Sequence, residues 1–312
     1  MRFILVDWGT TRFRGFLVED GAITGRVSAD EGVSALKGGD HPGVFRRHCG
    51  PWLEAYPDAP VALVGMVGSR EGWTVAPYAP CPAGPADIAR ALIPVDLGGG
   101  RMGRIVPGAV CEVEPGAVDV MRGEETLALG AGVADGLVCL PGTHPKWVEM
   151  RGGRIHRFAT YLTGEAYDLF RNHSMVGRPA TEPEDPAGFD LGLDAAGRNA
   201  GEAEPVLRSA GIEAPRARRA GLLHLLFGAR AATVTGRLPP AQLGPYLSGL
   251  LTGDEINGAL SLFPAPEAMT IVAGSPRADL YVRALARRGI EARIKSPEEA
   301  LIAGLGLILA QG

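Results

Sequence analysis

The chain has 312 residues, of which 46% are hydrophobic and 21% charged, and its formal net charge is −4. This composition is typical of a globular protein long enough for two domains, and it indicates neither a nucleic-acid-binding nor a membrane-binding surface. The four cysteines form no C-x-x-C pair and no apolar run reaches the ~20 residues of a membrane helix, so we expect free thiols and a cytoplasmic location.

Two stretches of the chain share one plan of three strands. Residues 3–27 read FILVDWGTTRFRGFLVEDGAITGRV and residues 137–160 read LVCLPGTHPKWVEMRGGRIHRFAT, each with a Gly-Thr turn between its first two strands. The dipeptides between the second and third strands, Asp20-Gly21 and Gly152-Gly153, are favoured in tight hairpins. We therefore predict one three-stranded hairpin in each half of the chain.

The two Gly-Thr turns predict a phosphate site. Turns of this kind expose backbone N–H groups and a hydroxyl, which can hold phosphate oxygens. Asp7 stands beside the first turn, where its carboxylate can bind Mg²⁺ directly or through water. A plain structural turn capped by Asp7 is the alternative reading of this segment. On the phosphate reading, we expect two facing lobes to hold one phosphate chain through Gly9, Thr10, Thr11, Gly142 and Thr143.

The middle of the first half contains a helix, a short strand and an unusual loop. Residues 41–58 have a helical pattern, and residues 61–67 read as a buried strand. The loop that follows begins GSREGW and is rich in glycine, proline and aromatic residues, which favours a binding role. Residues 98–103, GGGRMG, match G-x-G-x-x-G, but a β-like segment with Pro107 follows instead of a helix. We therefore interpret them as a loop and not as a dinucleotide site.

Two helices with small side chains are predicted, one in each half. Residues 119–134 have a helical pattern, and Glu125–Val133 and Glu299–Leu307 both carry Ala and Gly at close-packing positions. Such helices can cross tightly and act as a hinge, although plain core helices would have the same pattern. For the last helix, Ser296 is the expected N-cap and Glu299 the expected partner in a capping box.

The second half is expected to be mostly helical. Residues 178–220 are predicted to hold helices, such as that over residues 193–211, with surface loops between them. Leu222–Thr235 and Tyr246–Leu262 also have apolar helical patterns. The segment Ala273-Gly274-Ser275-Pro276 lies between a strand and a helix, where Gly274 would let a flat adenine base approach the backbone. An ordinary strand-to-helix turn capped by Ser275 is the alternative.

The order of these elements resembles the superfamily of acetate and sugar kinases, heat-shock ATPases and actin. The segments LVDWGTTRFRGFLV, GMVGSREGW, DVMRGEET, LPGTHPKWV and TYLTGEAYDLF resemble the 2-dehydro-3-deoxygalactonokinase family. The resemblance implies an α/β fold of two ribonuclease-H-like (actin-like ATPase) lobes, with mixed β-sheets around an ATP cleft. The first lobe would span residues 1–134 and the second residues 135–312.

The resemblance also implies a reaction and a set of partners. The reaction is phosphorylation of the 6-hydroxyl of 2-dehydro-3-deoxy-D-galactonate by ATP with Mg²⁺, a step in bacterial galactonate breakdown. A small-molecule sugar-acid substrate is therefore expected, with no nucleic acid, no membrane and a possible homo-oligomer. The alternatives are a kinase for a related sugar acid, such as the gluco epimer, and a non-kinase ATPase switch of the same superfamily. The switch is disfavoured because the chain leaves no room for a peptide-binding module after two lobes.

The catalytic base and the substrate contacts remain open at the level of sequence. Relatives in the superfamily place a catalytic Asp at the second phosphate turn or at the start of the linking helix, but this chain has Leu140-Pro141 at the turn. The candidate bases are therefore Glu124 and Glu125, with Asp119 behind them and a slight preference for Glu124. Gly274 and Ser275 would bind adenosine. The expected substrate-binding residues are Ser69, Arg70, Trp73, His144 and Lys146. Arg70 is the first choice for binding the carboxylate, with Arg122, Lys146 and Arg12 as alternatives, and Trp73 is expected to stack on the sugar.

Overall fold

Two mixed β-sheets with the same topology form the framework of the molecule. The computed structural model describes residues 1–36, 39–200 and 221–311. The strands, in chain order, are β1 (Arg2–Trp8), β2 (Phe13–Glu19), β3 (Ala22–Ala29), β4 (Val61–Val64), β5 (Tyr78–Pro80), β6 (Ile93–Gly98), β7 (Arg101–Ile105), β8 (Gly108–Glu114), β9 (Ala117–Met121), β10 (Gly136–Leu140), β11 (Lys146–Arg151), β12 (Arg154–Thr160), β13 (Ala268–Val272) and β14 (Glu291–Lys295).

The first and second sheets repeat one arrangement of strands. The first has the order β3-β2-β1-β4-β7-β6, and the second has the order β12-β11-β10-β13-β14. In each, a three-stranded antiparallel hairpin is followed by two strands parallel to its first strand, and the first sheet carries in addition the antiparallel edge strand β6. A small third sheet has the order β5-β8-β9. The two predicted hairpins are thus confirmed, and each belongs to a separate sheet.

Helices stand between some of the strands along the chain, and several follow one another between β12 and β13. They are α1 (Val33–Leu36), α2 (His41–Ala55), α3 (Pro85–Arg90), α4 (Glu124–Leu129), α5 (Thr163–Asn172), α6 (Ala187–Ala200), α7 (Leu222–Val234), α8 (Pro240–Leu262), α9 (Arg277–Ala286) and α10 (Pro297–Leu309). Within the described ranges, none of the helices combines the length and the apolar character that crossing a membrane requires.

The hairpin turns have the backbone conformation that their dipeptides predict. Asp20 and Gly21 have φ values of 49° and 83°, and Gly152 and Gly153 have φ values of 55° and 70°. Two consecutive residues in the left-handed region match the right-handed twist of the flanking strands, and glycine adopts this region without a steric penalty. Asp20 is the one non-glycine residue with positive φ among the described residues.

Strand β1 separates two apolar clusters. Its side chains alternate, so that Ile4 and Val6 face α2 and its neighbours, while Phe3 and Leu5 face the other side of the sheet. The cluster around Phe3 continues through the third sheet to β10, β11 and α10. The two main sheets therefore share one continuous core on this side. The predicted domain boundary at residue 134 remains a prediction.

Helices α4 and α10 cross at very close range. A methyl group at Gly304 would overlap the carbonyl oxygen of Thr126, and a methyl group at Gly130 would overlap that of Ala300. The predicted tight crossing of the two small-residue helices is therefore confirmed. Their role as a hinge stays a prediction.

Two expectations about individual elements need correction, and a third is tested only in part. The helix predicted over residues 119–134 is shorter, because residues up to Met121 pair with β8 and the helix spans only Glu124–Leu129. Ser296 stands at the N-cap of α10, but its side chain makes no capping hydrogen bond. The helix predicted over residues 193–211 coincides with α6 up to Ala200, and its remainder lies outside the described residues.

Candidate active site

The first Gly-Thr turn joins β1 to β2 and is anchored by its backbone. The Gly9 N–H donates to the Arg12 carbonyl at 2.9 Å, and the Gly9 carbonyl accepts from the Val33 N–H at 3.1 Å. The Thr10 carbonyl accepts from both the backbone N–H and the hydroxyl of Ser34, at 3.0 and 2.7 Å. Its own amide closes the turn, so the Gly9 N–H is not free to hold a phosphate oxygen, and Thr10 and Thr11 are both exposed.

Asp7 and Arg14 face each other across the first hairpin. They are register partners on β1 and β2, and the Arg14 guanidinium donates to Asp7 Oδ2. Burial raises the pKa of Asp7 above its ordinary value, the adjacent Arg14 opposes that rise, and the nearby Glu124 carboxylate adds to it. Arg14 is a residue that sequence reasoning missed, although the register of a hairpin around a Gly-Thr turn could have found it.

Asp7 lies in the wall of a cavity of about 220 Å³, which we call the Asp7 cavity. The wall also includes Gly9, Arg122 and Glu124, so groups from β1, from the first turn and from the start of α4 meet there. Gly123, between the last two, has a φ of 101°, a conformation that favours glycine. This turn lets both Arg122 and Glu124 reach the same cavity.

The two adjacent glutamates at the start of α4 have different surroundings. Glu125 is fully buried and accepts hydrogen bonds from the Gly123 N–H at 2.6 Å and the Thr126 hydroxyl at 2.9 Å. Burial, with a smaller contribution from Glu124, raises the pKa of Glu125 to about 7. Glu124 accepts from the Arg122 N–H at 3.1 Å and pairs with Lys146 at 2.9 Å. Glu124 lines the Asp7 cavity, whereas Glu125 does not.

The second Gly-Thr turn joins β10 to β11 and lines a second cavity of about 370 Å³, which we call the Gly142 cavity. Gly142, Thr143 and His144 lie in its wall together with Glu124. The His144 Nε2 atom lies 2.5 Å from Glu165 Oε2. The Glu165 N–H donates to the Thr143 carbonyl at 3.0 Å, so the start of α5 fixes this turn.

Lys146 does not reach either cavity, although the sequence suggested it for substrate binding. Only 5% of the residue is exposed, and its ammonium donates to the His144 carbonyl at 3.0 Å and pairs with Glu124 Oε1 at 2.9 Å. The lysine of the second hairpin therefore holds the carboxylate at the start of α4 in place.

Gly274 and Ser275 line the largest of these cavities, about 630 Å³, which we call the Tyr281 cavity. No atom would lie within 4 Å of a Cβ at Gly274, so this wall is open. Tyr281, also in the wall, donates its hydroxyl to Glu255 at 2.8 Å, and Glu255 accepts in addition from Trp147 Nε1 at 2.8 Å. Sequence reasoning missed this buried cluster because no local signal links positions so far apart in the chain.

Shared residues join the three cavities into one cleft. Glu124 lies in the walls of both the Asp7 and Gly142 cavities, and Gly142 and Gly274 lie in the walls of both the Gly142 and Tyr281 cavities. The cleft thus runs from the first Gly-Thr turn past the second to Tyr281. Its length can accommodate an elongated molecule.

The GSREGW loop does not contribute to the walls of this cleft. Arg70 is exposed, and Ser69 is half-buried, with its carbonyl accepting from the Gly72 N–H at 3.1 Å. The Trp73 ring stacks on His41, with centroids 5.9 Å apart, and contacts Trp8 edge-on. The substrate contacts predicted for these three residues remain predictions.

The other sequence candidates, including Thr10 and Thr11 of the first Gly-Thr turn, lie outside the cleft walls. Asp119 accepts from the Thr160 N–H at 2.6 Å and from the Thr160 hydroxyl at 2.8 Å, so it ties β9 to the end of β12. Arg12 pairs with the exposed Asp30 at 3.5 Å. The side chains of Asp119 and Arg12 are therefore engaged with neighbouring residues outside the cleft.

Comparisons with known proteins agree on one family. The model of the family described as 2-keto-3-deoxy-galactonokinase matches residues 7–308. A protein of Escherichia coli (strain K12) named 2-dehydro-3-deoxygalactonokinase is 33% identical over 307 residues, which cover 97% of this chain and 96% of that protein. The crystal structure of a candidate 2-dehydro-3-deoxygalactonokinase from Sinorhizobium meliloti has a TM-score of 0.81 and 31% identity, and covers 98% of this chain and 97% of its own.

A solved structure of lower sequence identity has a similar fold. The activator of the 2-hydroxyisocaproyl-CoA dehydratase from Clostridium difficile, with bound ADPNP, has a TM-score of 0.50 and 13% identity, and covers 100% of this chain and 96% of its own. Together with the repeated sheet topology, this likeness confirms the predicted α/β fold class of actin-like ATPases.

Proposed function

Because the chain belongs to the 2-keto-3-deoxy-galactonokinase family, we propose that it transfers a phosphoryl group from ATP to the 6-hydroxyl of 2-dehydro-3-deoxy-D-galactonate. The observation that carries the proposal is the single cleft that joins Asp7, Glu124 and both Gly-Thr turns to the Tyr281 cavity. Phosphoryl transfer requires mainly that the two substrates be positioned and the developing charge be stabilised.

The two ends of the cleft suit the two substrates. Adenosine would occupy the Tyr281 cavity against Gly274 and Ser275, where the open backbone at Gly274 accommodates a flat base. The triphosphate would extend along the Gly142 cavity, where Gly142 and Thr143 face it, towards Gly9 of the first Gly-Thr turn, which lines the Asp7 cavity. The sugar acid would then enter the Asp7 cavity with its 6-hydroxyl towards Glu124.

Glu124 is the proposed catalytic base. It lies in the walls of both the Asp7 and Gly142 cavities, where the acceptor hydroxyl and the terminal phosphate would meet. A carboxylate there can accept the hydroxyl proton as the oxygen attacks. Lys146 holds this carboxylate at 2.9 Å, whereas Glu125 is fully buried and cannot touch a substrate in this arrangement.

Mg²⁺ is part of the proposal as the ion that accompanies ATP. In phosphoryl-transfer sites this ion is usually held by one or two carboxylates together with phosphates. The described residues contain no cluster of three or more potential metal ligands. Asp7 can serve as the single carboxylate ligand that such a site needs, because it lines the cavity and Arg14 bonds only to its Oδ2 atom, which leaves Oδ1 for the ion. When bound, the ion would neutralise phosphate charge beside Asp7.

The proposal also includes a reducing, cytoplasmic location. All four cysteines are described and all are free thiols, which supports this part of it.

A coupled assay of ADP release tests the proposed reaction. The purified protein would receive Mg-ATP with 2-dehydro-3-deoxy-D-galactonate, its gluco epimer or D-galactonate, and with no acceptor as the control. We expect fast release with the first compound only. Release without an acceptor would favour an ATPase switch instead, and release with the gluco epimer alone would assign a different substrate.

A further inference from the structure

Arg277 lies where two cavities of the cleft meet. It is in the walls of both the Tyr281 and the Gly142 cavities, as Gly142 and Gly274 are. The residue is exposed, so its guanidinium donors are accessible to a ligand. Burial, with a contribution from Glu255, raises the pKa of the Tyr281 hydroxyl, and the charge of Arg277 opposes that rise. The Arg277 cation therefore stands near the Tyr281 wall of the cleft.

No other described residue engages the Arg277 side chain. Over residues 1–36, 39–200 and 221–311, it makes neither a hydrogen bond nor an ion pair. Arg277 is also the first residue of α9, where the helix dipole is positive and a second positive charge is unfavourable. Asp279, the acidic residue of the same turn, is bonded to the Ser275 hydroxyl. Arg277 can therefore bind an anion without losing an existing contact.

The other acidic and basic side chains in the walls of these two cavities each face a group of opposite charge. The pairs are Glu124 with Lys146, His144 with Glu165, Glu184 with Arg171, and Arg283 with Asp190. Among the residues that the structure describes, Arg277 is thus the one charged group of these walls whose charge is not paired. A polyanion that enters this part of the cleft would find its counter-charge there.

We propose that Arg277 binds the two phosphates nearest to adenosine, which ATP and ADP share. The inference rests on the proposed function, because it takes the ligand to be an adenine nucleotide with its base in the Tyr281 cavity. Phosphates that extend from there into the Gly142 cavity pass Arg277 before they reach Glu124. A guanidinium binds phosphate oxygens through charge-assisted hydrogen bonds, often two at once, and the positive end of α9 favours the same anion.

The test compares two ligands that share adenosine and differ in their phosphates. ADP and adenosine would be titrated by calorimetry into the wild type and R277Q, with no acceptor present. We expect Kd for ADP to rise about 10-fold or more in R277Q, because a charge-assisted contact to phosphate is lost. Kd for adenosine should change by less than about 3-fold. Equal rises for both ligands would show that Arg277 supports the base and not the phosphates, and would overturn the inference.

A conservative variant and the salt dependence separate a phosphate contact from a structural role. R277K keeps the positive charge but not the forked donors, so we expect it to recover part of the ADP affinity. Added NaCl should weaken ADP binding more steeply in the wild type than in R277Q, because salt screens the contact between charges. Identical salt dependence of the two proteins would contradict the contact.

R287Q is the matched control for net charge. Arg287 follows the last residue of α9, pairs with Asp190 and Asp194, and lines none of the three cavities. We expect R287Q to keep the wild-type ratio of the ADP and adenosine affinities. A loss of that ratio as large as in R277Q would show a general effect of charge and would overturn the assignment.

The binding measurements also separate this inference from the proposed function. If R277Q loses the preference for ADP while the wild type phosphorylates no acceptor, the kinase proposal is overturned and the role of Arg277 stands. If R277Q binds ADP as tightly as an active wild type, only the role of Arg277 is overturned. Absence of ADP binding by the wild type would overturn both.

Discussion

At the scale of single residues, burial decides the chemistry of two neighbouring glutamates. Glu124 and Glu125 are adjacent, yet one lines the cleft and the other is fully enclosed. The side chain of Glu125 turns back to the Gly123 N–H and so caps the start of α4. Glu124 is left to face the cavity, where Lys146 holds it. The same residue type therefore serves as a structural cap at one position and as the candidate base at the next.

Replacing the candidate base tests this division. We expect E124Q to lower kcat by about 100-fold or more, because general-base catalysis contributes factors of about 10² to 10⁴. The affinity for ADP, measured by calorimetry, should stay within about 3-fold of wild type. Thermal unfolding would check that the variant remains folded with Lys146 unpaired. A kcat near the wild-type value would exclude Glu124 as the base.

The buried Glu125 predicts a pH dependence of stability. Its pKa in the folded protein, about 7, lies above its ordinary value of 4.5. The stability that protonated Glu125 contributes is therefore present in full below about pH 4.5 and is lost as the pH rises through about 7. The free energy of unfolding of the wild type should fall by about 3 kcal/mol relative to E125Q between pH 4 and pH 8. Urea unfolding across this range measures the difference, and a constant difference would contradict the shift.

At the scale of secondary-structure elements, the crossing of α4 and α10 fixes the carboxylates of the cleft. Glu124 is the first residue of α4, and its neighbours Thr126 and Gly130 contact α10 through backbone atoms. Only glycine allows two helix backbones to approach this closely. Small residues at these positions therefore position the start of α4 relative to the rest of the cleft.

Two glycines of α10 form a matched pair for testing this crossing. A methyl group at Gly304 overlaps the Thr126 carbonyl, so we expect G304A to lower the free energy of unfolding by about 1–3 kcal/mol. A methyl group at Gly306 meets no atom within 4 Å, so G306A should raise that free energy by about 0.5–1 kcal/mol through helix propensity. Denaturant unfolding measures both, and equal effects would show that the crossing tolerates a methyl group.

At the scale of the whole molecule, the cleft exists because two sheets with the same topology contribute equivalent turns to it. The first hairpin supplies Asp7 and Gly9, and the second supplies Gly142 and Thr143. The strand β13, parallel to β10, leads directly to Gly274 at the far end. The apolar core shared by both sheets joins these parts, so the cleft has walls from both halves of the chain.

Filling the wall at Gly274 should block the nucleotide without disturbing the fold. A valine side chain there enters open space, because no atom lies within 4 Å of the Cβ position. We expect G274V to keep its unfolding temperature within about 2 °C of wild type and to lose about 10-fold or more in ADP affinity. The stabilisation by ADP, about 2.7 kcal/mol at 100 times Kd for the wild type, should fall accordingly. G228V is the control, because Gly228 is also open but lines none of the three cavities. Unchanged ADP binding in G274V would show that the nucleotide binds elsewhere.

The sequence by itself determined the two hairpins, their turns and the family. Dipeptides such as Asp20-Gly21 act through their own backbone preferences, and strand alternation in segments such as residues 3–8 needs no distant partner. The Gly-Thr turns of the cleft could be predicted for the same reason. The crossing of two small-residue helices was also predictable, because only small side chains permit it.

Only the tertiary structure decided which polar side chains face the cleft. Residues up to Met121 form a strand and not a helix because β8 pairs with them, which local propensity does not record. Lys146, expected to bind the substrate, pairs with Glu124 instead, and Trp73 packs on His41. Two guanidinium nitrogens of Arg122 have no hydrogen-bond partner among the described residues. Burial and pairing of charges depend on residues far apart in sequence, and the contacts that fix them form only when the chain folds.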